Sequence, residues 1–567
     1  MPILDTTLSR IRKYMGMEIT VEELDELLFR IGFELDSYKE SEGDFELKIE
    51  VTPDRPDCLS TVGLVRALKL YLGIQEPKKY VSVGETDYKL YVDKSVLAIR
   101  PYIAAFVVKD IRLTEDDIEE LIWAQEKLHA TFCRERKKAS IGFYPLRKIT
   151  WPLKYYAEDP DKIRFVPLGM DEPMSGREIL SKHPTGKKYK HLIEEFAKYP
   201  LFVDNNGNVL SMPPIINARE YGEVSSSDTE ILVETTGTHK ETMKQTLNIL
   251  ATMLSDMGGT LHSVEVIYPD IKERAPFFQG YVKYLHLDYV EKVLGVKIRT
   301  KKVKELLSRM GYLIRSIQRR MVMVEVPPYR TDIFHEIDIV DDIARAYGFN
   351  NFEPELSPVF TVGSQLGIHD KIDFIREILT GLGYAEIFTF SLTNTEDQFL
   401  KMRLDVPGSI VRIAGAKEAK INMVRSWLLP EALKTLVENK AREYPIKMFE
   451  ISDVVELNED LEARAQNKTH LVVVISDTRA NYTDIKSCIE YVFGALGISI
   501  NIVRGNHRSF IEGRCALIVL DGKEIGVLGE IHPEVLMNFG ITIPTVAAEV
   551  DLSDVLKIRV QEVEWSE

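Results

Sequence analysis

The sequence predicts a multidomain α+β protein, and three observations support this class. The chain has 567 residues, enough for about four domains of ordinary size. Hydrophobic residues make up 45% of the chain, so each domain can fill a core. Amphipathic helices and alternating strands follow one another without a repeated unit, and the strands near the C-terminus come in runs typical of an antiparallel sheet.

The first predicted domain spans residues 1–85 and combines helices with strands. A helix is predicted for TVEELDELLFRIG, residues 20–32, with Thr20 as N-cap, Glu23 closing a capping box and Gly32 beyond its end. The next run, FELKIEV, alternates apolar and polar residues as a half-buried strand does. A second helix is predicted at the end of VTPDRPDCLSTVGLVRALKLYLG, which finishes at Gly73.

Two further domains are predicted between residues 86 and 352. Residues 86–275 mix strands and helices around the polar loops NNGN and SMPPIIN, and we expect one α+β domain there. Residues 276–352 begin with two short helices, LDYVEKVLG and TKKVKELLSRMG, the second capped by Thr300 and stopped by Gly311. Two strand-like runs follow, so this unit is predicted to be a winged-helix-like module.

The last predicted domain, residues 353–567, is a mainly antiparallel sheet with packed helices. It opens with HDKIDFIREILTGLGYAEIFTFSLTN, a helix that breaks near Gly381 before a strand on which Phe388, Phe390 and Leu392 share a face. Further strands are predicted in MFEISDVVEL, HLVVVISD, CALIVLDGKEIGVLGE and TVAAEVDL, and a helix in LPEALKTLVENKAREY.

Charge, cysteine content and hydropathy narrow the functional classes. Lys and Arg number 72 against 88 Asp and Glu, a net charge of −16, so any nucleic-acid site must be local. The four cysteines form no C-x-x-C pair, which argues against a disulfide framework or a zinc knuckle and fits a reducing cytoplasm. No segment approaches the ~20 apolar residues needed to cross a bilayer, and the start lacks a signal-peptide core. We therefore expect a cytoplasmic protein without membrane contact.

An unusual number of aspartates crowds the segment VPPYRTDIFHEIDIVDDIARAYGFNNFEP. Asp338, Asp341 and Asp342 follow an i, i+3, i+4 spacing on a helix predicted for residues 334–347, and Asp332 precedes it at a strand end. Carboxylates without Cys or His suit a hard cation, and the absence of EF-hand spacing favours Mg²⁺ over Ca²⁺.

The other interpretation of the same helix is an ordinary solvated face. Asp341 is placed to pair with Arg345, one turn later. The buried stripe would then consist of Ile337, Val340, Ala344 and Tyr347. The residues alone leave both interpretations open.

Several motifs together carry a resemblance to a known family. The run PPYRTDIFHEIDIVDDIARAYGFNNF is preceded by EVTPDRPDCLSTVGLVRAL, QEKLH and SMPPIIN and followed by GLGYAEIFTFSLTN. In this order the motifs resemble the β subunit of phenylalanine–tRNA ligase, of the archaeal and eukaryotic-cytosolic type, a class II aminoacyl-tRNA synthetase. The resemblance implies an (αβ)₂ heterotetramer that uses ATP and binds tRNA. It also implies a magnesium ion held near the α subunit by Asp332, Asp338, Asp341 and Asp342.

The last domain resembles a class II catalytic domain, yet its sequence lacks the expected phosphate-binding arginines. Amino-acid activation in that class needs an arginine in an f-R-x-E strand and a second one later, because both stabilise phosphate charge. In KMFEISDVV the acid is Glu450, but Met448 occupies the arginine position. No arginine occurs between Arg514 and Arg559. We expect aminoacylation to belong to the α subunit and this domain to build the assembly.

The resemblance also implies a proofreading site for tyrosyl-tRNA within residues 86–275. Such a site is physically useful because an apolar pocket rejects an added hydroxyl only ~10²-fold, whereas a hydrogen-bond partner for the phenol can favour tyrosine strongly. Candidates come from AQEKLHATFCRERKKASIGF, VLSMPPIINARE and ILVETTGTHKE. The catalytic candidates that the resemblance implies are Glu126, Arg136, Asn217 and Thr236, and the substrate-binding candidates are Gln125, Ser211 and Glu234.

The expected roles of these residues differ. Glu126 or Glu234 would accept a hydrogen bond from the phenol, Arg136 would meet the tRNA terminus, and Asn217 with Thr236 would orient a water. His129, Arg134 and Thr238 lie in the same stretches. Structural roles are the alternative: Glu126 and Arg134 on one helix surface, Asn217 capping the Pro-Pro turn, and Thr236 at a strand end.

A nucleic-acid-binding or regulatory protein without enzymatic activity is the competing function. Its support is the basic content of the winged-helix-like module, although such a helix is also typical of a solvated surface. The residues concerned are Lys297, Arg299, Lys301, Lys302, Lys304, Arg309, Arg315, Arg319 and Arg320.

Overall fold

The computed structural model describes residues 2–41, 43–84, 86–356, 359–415 and 420–557. It divides into two compact units, Met1–Leu356 and Ser357–Glu567, and each combines helices with sheets. The predicted α+β class is therefore confirmed. The boundary residue Glu85, Arg559 and the end of the predicted fourth domain lie outside the described residues. Among the described helices, none is long and apolar enough to cross a membrane.

The first unit begins with a three-stranded antiparallel sheet, in the order β1-β3-β2, packed against three helices. The elements are β1 Ile3–Thr7, α1 Leu8–Met15, α2 Val21–Ile31, β2 Glu34–Ser41, β3 Asp44–Glu50 and α3 Thr61–Leu72. The capping box predicted for α2 is confirmed, because the Thr20 side chain accepts from the Glu23 N–H and the Glu23 carboxylate accepts from the Thr20 N–H. Helix α3 ends before a left-handed Gly73, as predicted.

The middle of this unit is a ten-stranded sheet whose path runs β12-β11-β10-β7-β4-β14-β5-β13-β6, with β15 paired to β14. Its strands are β4 Lys89–Val92, β5 Tyr102–Lys109, β6 Ala139–Pro145, β7 Leu153–Glu158, β10 Tyr199–Val203, β11 Val209–Met212, β12 Ile216–Asn217, β13 Ile231–Gly237, β14 Thr260–Ile267 and β15 Lys272–Ala275. A separate hairpin joins β8 Arg164–Phe165 to β9 Met174–Ser175. The helices are α4 Glu115–Ala130, α5 Gly176–Lys182, α6 Pro184–Tyr189 and α7 Lys240–Asp256.

Both faces of the central strands in this sheet are buried, because neighbouring residues of β5 enter different hydrophobic clusters. Phe106 joins the cluster that contains Leu128 of α4 and Leu250 of α7. Val107, the next residue along the strand, joins a second cluster on the opposite face. Helix α4 packs beside β6, and α7 packs on β5 and β13. This arrangement fixes the strand β13 between β5 and β6, where the candidate site is built.

The unit ends with a three-stranded sheet, ordered β16-β18-β17, and three helices. The elements are β16 Val282–His286, α8 Leu287–Leu294, α9 Thr300–Arg309, β17 Leu313–Gln318, β18 Met321–Glu325 and α10 Glu336–Tyr347. Two short helices followed by a hairpin agree with the predicted order. The predicted cap at Thr300 is wrong, since Thr300 is already the first helical residue and Arg299 is the N-cap.

Helix α10 differs from its prediction at its start and on its buried face. It begins at Glu336 rather than at residue 334, because the Asp338 carboxylate accepts hydrogen bonds from the N–H groups of Phe334 and His335. The predicted stripe was partly wrong: Ile337 is 38% exposed, while the buried positions are Ile339, Val340, Ile343, Ala344 and Ala346. The helix contacts α2, α8 and α9, so three neighbours set its buried side.

The second unit contains a seven-stranded sheet in the order β19-β22-β23-β27-β26-β25-β24, antiparallel except between β19 and β22. The strands of this sheet are β19 Ala385–Glu386, β22 Ile446–Leu457, β23 Ala465–Ser476, β24 Asn501–Arg504, β25 Phe510–Leu520, β26 Lys523–Ile531 and β27 Thr545–Asp551. A separate two-stranded antiparallel sheet pairs β20 Leu392–Thr393 with β21 Met423–Val424. The helices are α11 Gly367–Gly381, α12 Leu429–Glu438, α13 Tyr482–Ala495 and α14 Pro533–Phe539, with a π-helical turn at Glu396–Leu400. A mainly antiparallel sheet with packed helices is what the sequence predicted.

The strand predicted after α11 does not form. Only Ala385–Glu386 and Leu392–Thr393 are extended and paired, and Phe388 and Phe390 between them are 87% and 86% exposed. Alternation of apolar residues indicated a buried face, but no described residue of this unit covers it. Large apolar side chains exposed in this way are typical of a surface that contacts another molecule.

Candidate functional site

A cavity of about 470 Å³ lies between α4, β6 and β13 on one side and the β11–β12 hairpin on the other. Its wall is mainly apolar, with Leu121, Ile141, Phe143, Leu168 and Ile215 among the lining side chains. Six candidates from the sequence line this one cavity: Gln125, Glu126, Arg136, Ser211, Asn217 and Glu234. The chain thus brings together three stretches that are far apart in sequence.

Glu234 supplies a buried carboxyl group to this cavity. It lies on β13, where both neighbouring strands cover it, and its side chain is 2% exposed. One oxygen, Oε1, lies 3.1 Å from the Tyr144 hydroxyl. The other, Oε2, has no hydrogen-bond partner among the described residues. Burial raises the pKa of Glu234 to about 8, so the free site holds this group largely as a neutral acid at pH 7.

The Tyr144 hydroxyl connects three of the candidates. It lies 2.9 Å from Ser211 Oγ, 3.4 Å from Asn217 Oδ1 and 3.1 Å from Glu234 Oε1. Burial raises the pKa of Tyr144 well above its usual value, so the phenol keeps its proton. Gly142 lies opposite Glu234 in the strand register, and a Cβ there would stand 2.7 Å from Glu234 Oε1. A glycine is therefore needed to leave room for this network.

Glu126 and Arg136 close the rim of the cavity. Arg136 donates to Glu126 at 3.1 Å and to the carbonyl oxygens of Pro214 and Ile215 at 3.2 and 3.0 Å. Glu126 also receives the Nδ1–H of His129, and this hydrogen bond lowers the pKa of Glu126 to about 2. The arginine ties α4 to the β11–β12 hairpin, so it shapes the rim as well as lining it.

His129 is buried and has a structural role. Its Nε2 accepts from the Ile141 N–H at 2.9 Å, which places the proton on Nδ1 facing Glu126. Burial lowers the pKa of His129 to about 4, so the ring is neutral at pH 7. Both ring nitrogens are engaged, and the residue positions Glu126.

Thr236 and Thr238 lie outside the cavity wall. The Thr236 hydroxyl is fully buried and lies 2.9 Å from Arg100 Nε and 2.8 Å from Ser140 Oγ. Thr238 donates to the Lys137 carbonyl at the surface. Thr236 therefore does not line the cavity in which a water would bind. It contacts the cavity-lining Ser140 from behind.

The remaining candidates divide between wall and surface. The Gln125 side chain donates to the Ile141 carbonyl at 2.8 Å, which holds α4 to β6. Asn217 pairs with Ser211 in the β11–β12 register, so both face the same end of the cavity. Arg134 does not share α4 with Glu126, because the helix ends at Ala130 and Arg134 lies in an exposed left-handed turn.

Sequence reasoning missed Tyr144 and Arg100. Arg100 is 2% exposed and has no carboxylate partner in the described chain. Its guanidinium donates to the Thr236 hydroxyl and carbonyl, to Ser140 and to the Arg136 carbonyl. Tyr144 could have been found from the alternation along β6, because it lies two residues after Gly142 and four after Ser140 and therefore shares their face of the strand. Arg100 gave no signal, because only the folded sheet brings residue 100 beside residues 136, 140 and 236.

The four aspartates predicted to bind a cation line a second cavity, of about 300 Å³, together with Arg55, Arg330 and Arg345. Arg330 donates to both oxygens of Asp332, at 2.8 and 2.7 Å, and to Asp342 at 2.8 Å. Arg345 pairs with Asp341 at 2.8 Å, as one interpretation predicted. Asp338 is occupied at the start of α10.

The charged side chains around this second cavity decide whether it could bind a cation. Asp342 is 4% exposed and also accepts from the Tyr312 hydroxyl, and burial raises the pKa of Asp342. As the side chains stand, no three acidic, histidine or cysteine groups among the described residues are arranged to hold a metal. All four donors are hard carboxylates around one cavity, so the donor chemistry fits Mg²⁺. In this structure Arg330 pairs with Asp332 and Asp342, and Arg345 pairs with Asp341.

Comparisons with known proteins agree along nearly the whole chain. Family models match residues 1–74 (Phe-tRNA synthetase beta subunit B1 domain), 284–349 (tRNA synthetase B5 domain) and 354–552 (Phenylalanyl tRNA synthetase beta chain CLM domain). The phenylalanine–tRNA ligase beta subunit of Thermococcus sibiricus is 36% identical over 553 residues, covering 97% of this chain and 98% of that protein. The chain belongs to the phenylalanine–tRNA ligase β-subunit family.

Two further comparisons support this membership in the β-subunit family. The β subunit of Methanocaldococcus jannaschii is 37% identical over 560 residues, covering 97% of this chain and 100% of that protein. The crystal structure of an N-terminal fragment of the Pyrococcus horikoshii β subunit has a TM-score of 0.59 and 35% identity, covering 61% of this chain and 99% of the fragment. The family identified from the sequence motifs is thus confirmed, and with it a ligase component of protein synthesis.

In this member of the β-subunit family, the second unit buries an ion pair where the sequence lacks a phosphate-binding arginine. Glu450 on β22 lies 2.9 Å from Arg425, and both side chains are at most 2% exposed. Arg425 also donates to the Thr389 hydroxyl and the Asp453 carbonyl. Met448, at the arginine position, is 3% exposed and joins a hydrophobic cluster with Leu433 and Val472. The acid of the predicted strand motif is therefore already neutralised.

The basic residues that supported a nucleic-acid-binding alternative are partly neutralised as well. Glu305 pairs with Lys302 and Arg309, each at 2.9 Å. Arg315 pairs with Glu325, and Arg320 pairs with Asp288 and Glu291. Four of the nine predicted phosphate contacts thus have acidic partners, which favours the solvated-surface interpretation for this module.

Proposed function

We propose that this β subunit works with an α subunit in attaching phenylalanine to tRNA, and that its first cavity hydrolyses tyrosyl-tRNA. The observation that carries the proofreading proposal is the unpaired Oε2 of Glu234, buried in a cavity that is otherwise mainly apolar. An aromatic amino-acid side chain matches the apolar wall. A phenol hydroxyl would supply the hydrogen bond that this oxygen lacks.

Discrimination between tyrosine and phenylalanine follows from the same oxygen. A bound phenylalanine would bury Glu234 without a new hydrogen bond, and an unsatisfied buried group costs about 1 to 3 kcal/mol. A penalty of up to about 3 kcal/mol corresponds to a preference for tyrosine of up to about 10²-fold. The site would therefore release correctly charged phenylalanyl-tRNA and retain tyrosyl-tRNA.

Hydrolysis requires a positioned water and a place for the ester. Ser211 and Asn217 lie on the hairpin that faces Glu234, and both lie within 3.4 Å of the Tyr144 hydroxyl. In this proposal Asn217 orients the attacking water, and Arg136 at the rim is near the tRNA terminus. Glu126 holds Arg136 in place. Thr236 is assigned a supporting position behind Ser140.

Pairing with an α subunit rests on the second unit. The printed names of the relatives call them beta subunits. Phe360, Val362, Phe388 and Phe390 are each at least 86% exposed, and large exposed apolar side chains mark interaction surfaces. We propose that this surface contacts the α subunit in an (αβ)₂ heterotetramer in the cytoplasm. The α subunit would bind ATP and form the ester, since Arg425 already neutralises Glu450.

Magnesium is proposed for the cavity lined by the four aspartates. The ion would be held by Asp332, Asp338, Asp341 and Asp342. Its positive charge would help this module bind the α subunit. Asp341 is the accessible ligand, because its side chain is 53% exposed.

The decisive experiment uses the complex co-purified with its α subunit. Wild-type complex should charge tRNA with phenylalanine and hydrolyse preformed tyrosyl-tRNA, and Glu234→Ala should lose the second activity while keeping the first. Unchanged tyrosyl-tRNA hydrolysis by both Glu234→Ala and Asn217→Ala would refute the proofreading site. Failure of the chain to form a complex with the α subunit would refute the pairing. The competing function predicts duplex DNA binding by the chain alone.

A further inference from the structure

Two segments meet at the rim of the first cavity and carry a concentration of basic residues. One is the turn 131–138 after α4, and the other is 184–190, which contains α6. The Tyr189 hydroxyl lies 3.2 Å from Glu135 Oε2, and the Arg136 guanidinium stacks over the Tyr189 ring at 4.4 Å. We name the exposed side chains Arg134, Lys137 and Lys187 the basic rim.

Contacts of neighbouring residues tie the two segments that carry the basic rim to the cavity wall. Arg136, between Arg134 and Lys137, lines the cavity itself. His183, the N-cap of α6, donates from Nε2 to the carbonyl of the cavity-lining Leu168 at 3.0 Å. Both segments are therefore fixed to the cavity wall.

The charge of the basic rim is not cancelled within the described chain. None of Arg134, Lys137 and Lys187 makes an ion pair with another described residue. The neighbouring acids are already engaged, since Glu126 binds Arg136 and His129, and Glu135 binds Lys188 and Tyr189. A locally positive rim on a chain of net charge −16 is the local site that a polyanion requires.

The backbone that carries this rim is held in an unusual conformation. Arg134, Glu135 and Arg136 are consecutive non-glycine residues with φ of 50°, 50° and 61°. Such left-handed residues cost energy and persist when their surroundings hold them, often at functional sites. Here the buried Arg100 donates to the Arg136 and Lys137 carbonyls. The turn is thus fixed with its basic side chains directed outward.

We propose that the basic rim binds the backbone phosphates of a single-stranded tRNA 3′ end and delivers its terminal ester to the cavity. This inference rests on the proposed function, because an ester on the tRNA terminus can enter the cavity only if the phosphodiester backbone of that terminus lies at its rim. A single strand fits better than a duplex, since the terminal nucleotide must approach a cavity of amino-acid size. The three cations are phosphate contacts without base recognition.

The test compares wild-type complex with the triple variant Arg134→Gln/Lys137→Gln/Lys187→Gln on two esters. One is tyrosyl-tRNA, and the other is 3′-O-tyrosyl-adenosine, which has no phosphates. Three phosphate contacts on a single strand give a salt exponent of about 2, hence an about 20-fold fall in kcat/KM between about 50 and 200 mM salt. The variant should lose this salt-dependent part with tyrosyl-tRNA and hydrolyse tyrosyl-adenosine at the wild-type rate.

A matched control removes three exposed lysines elsewhere in the same unit, as Lys39→Gln/Lys48→Gln/Lys89→Gln on β2, β3 and β4. This variant should behave as wild type on both esters. The proposal is overturned if the rim variant keeps the wild-type salt dependence, if both esters lose activity equally, or if only the control variant loses tRNA activity.

Failure of the proposed function would look different. Wild-type complex would then hydrolyse neither ester, and the basic rim would be tested by binding of a single-stranded RNA that ends in CCA. Weaker binding by the rim variant, with a salt exponent lower by about 2, would support the phosphate site independently of hydrolysis. Unchanged binding would overturn it.

Discussion

The Tyr144 hydroxyl lies 3.1 Å from Oε1 of Glu234, while Oε2 of the same buried carboxyl group has no partner in the described chain. One oxygen is thus fixed by the protein and the other is left for a ligand. Because Tyr144 also contacts Ser211 and Asn217, a ligand at Glu234 would lie beside the polar end of the cavity. This asymmetry is the basis of the first two predictions.

Replacement of Glu234 should reduce the preference for tyrosyl-tRNA over phenylalanyl-tRNA and leave the cavity itself in place. We expect Glu234→Ala to lower the ratio of tyrosyl-tRNA to phenylalanyl-tRNA hydrolysis by up to about 10²-fold, because phenylalanine no longer leaves a buried carboxyl group unsatisfied, a penalty of about 1 to 3 kcal/mol. The measurement is kcat/KM for both esters. Glu223→Gln is the matched control, since Glu223 lines the same cavity but is exposed. An unchanged ratio in Glu234→Ala would contradict the phenol-binding role.

The tyrosine preference should rise with pH. Burial raises the pKa of Glu234 to about 8 from an ordinary value of 4.5, so the group is neutral below about pH 8 and charged above it. A carboxylate accepts from a phenol more strongly than a neutral acid does. The facing groups do not titrate in this range, because burial raises the pKa of Tyr144 well above its usual value and lowers the pKa of Arg100 only to about 10.

The measurement is the ratio of the two hydrolysis rates between about pH 7 and 9, which removes the common effect of hydroxide. The ratio should increase in wild type and stay flat in Glu234→Gln. The same shift has a consequence for folding: the folded chain binds a proton more tightly than the unfolded chain between pH 4.5 and about 8. The stability contribution of this group therefore falls as pH rises through that window.

Arg100 should hold the rim turn and β13 together. Arg100→Ala would leave the carbonyls of Thr236 and Arg136 without a donor, at about 1 to 3 kcal/mol for each buried group. We expect amide hydrogen exchange in residues 134–140 and 236–238 to become at least about tenfold faster. Arg177→Ala is the control, because its ion pair with Asp161 is exposed on both sides. Equal exchange in both variants would contradict this role.

Two aspartates of the cation cavity should separate metal binding from folding. Asp341 is 53% exposed, so Asp341→Asn should change stability by at most about 1 kcal/mol while weakening Mn²⁺ or Mg²⁺ binding in calorimetry. Asp342→Asn should instead destabilise the first unit by about 3 kcal/mol or more, since Arg330 would lose a buried partner. Equal metal affinity of Asp341→Asn and wild-type heterotetramer would exclude Asp341 as a ligand.

The buried pair of the second unit should matter for folding and not for nucleotide chemistry. Removing one partner of Arg425–Glu450 leaves an uncompensated buried charge, at about 3 to 5 kcal/mol. We expect Arg425→Met to lower the melting temperature, and Arg425→Met/Glu450→Gln to recover part of it. The isolated chain should show no ATP–pyrophosphate exchange in any of these forms. Exchange by the wild-type chain would overturn the assignment of activation to the α subunit.

Local patterns in the sequence predicted the elements whose ends are set by nearby residues. The capping box at Thr20, the end of α3 at Gly73 and the Asp341–Arg345 pair each depend on groups at most four residues apart. Predictions failed where a neighbour distant in sequence decided the outcome. Three helices set the buried side of α10, and the described residues of the second unit leave the apolar run at Phe388 and Phe390 uncovered.

For the candidate site, the sequence motifs and the family they resemble supplied three stretches of the chain and six side chains of one cavity. The fold sets their chemistry, because it places β13 between β5 and β6 and Tyr144 against Glu234. It moved Thr236 behind the wall and introduced Arg100, which no nearby motif marks. The physical reason is that hydrogen bonding and burial depend on contacts between strands, whereas sequence patterns report on residues within one turn or one strand.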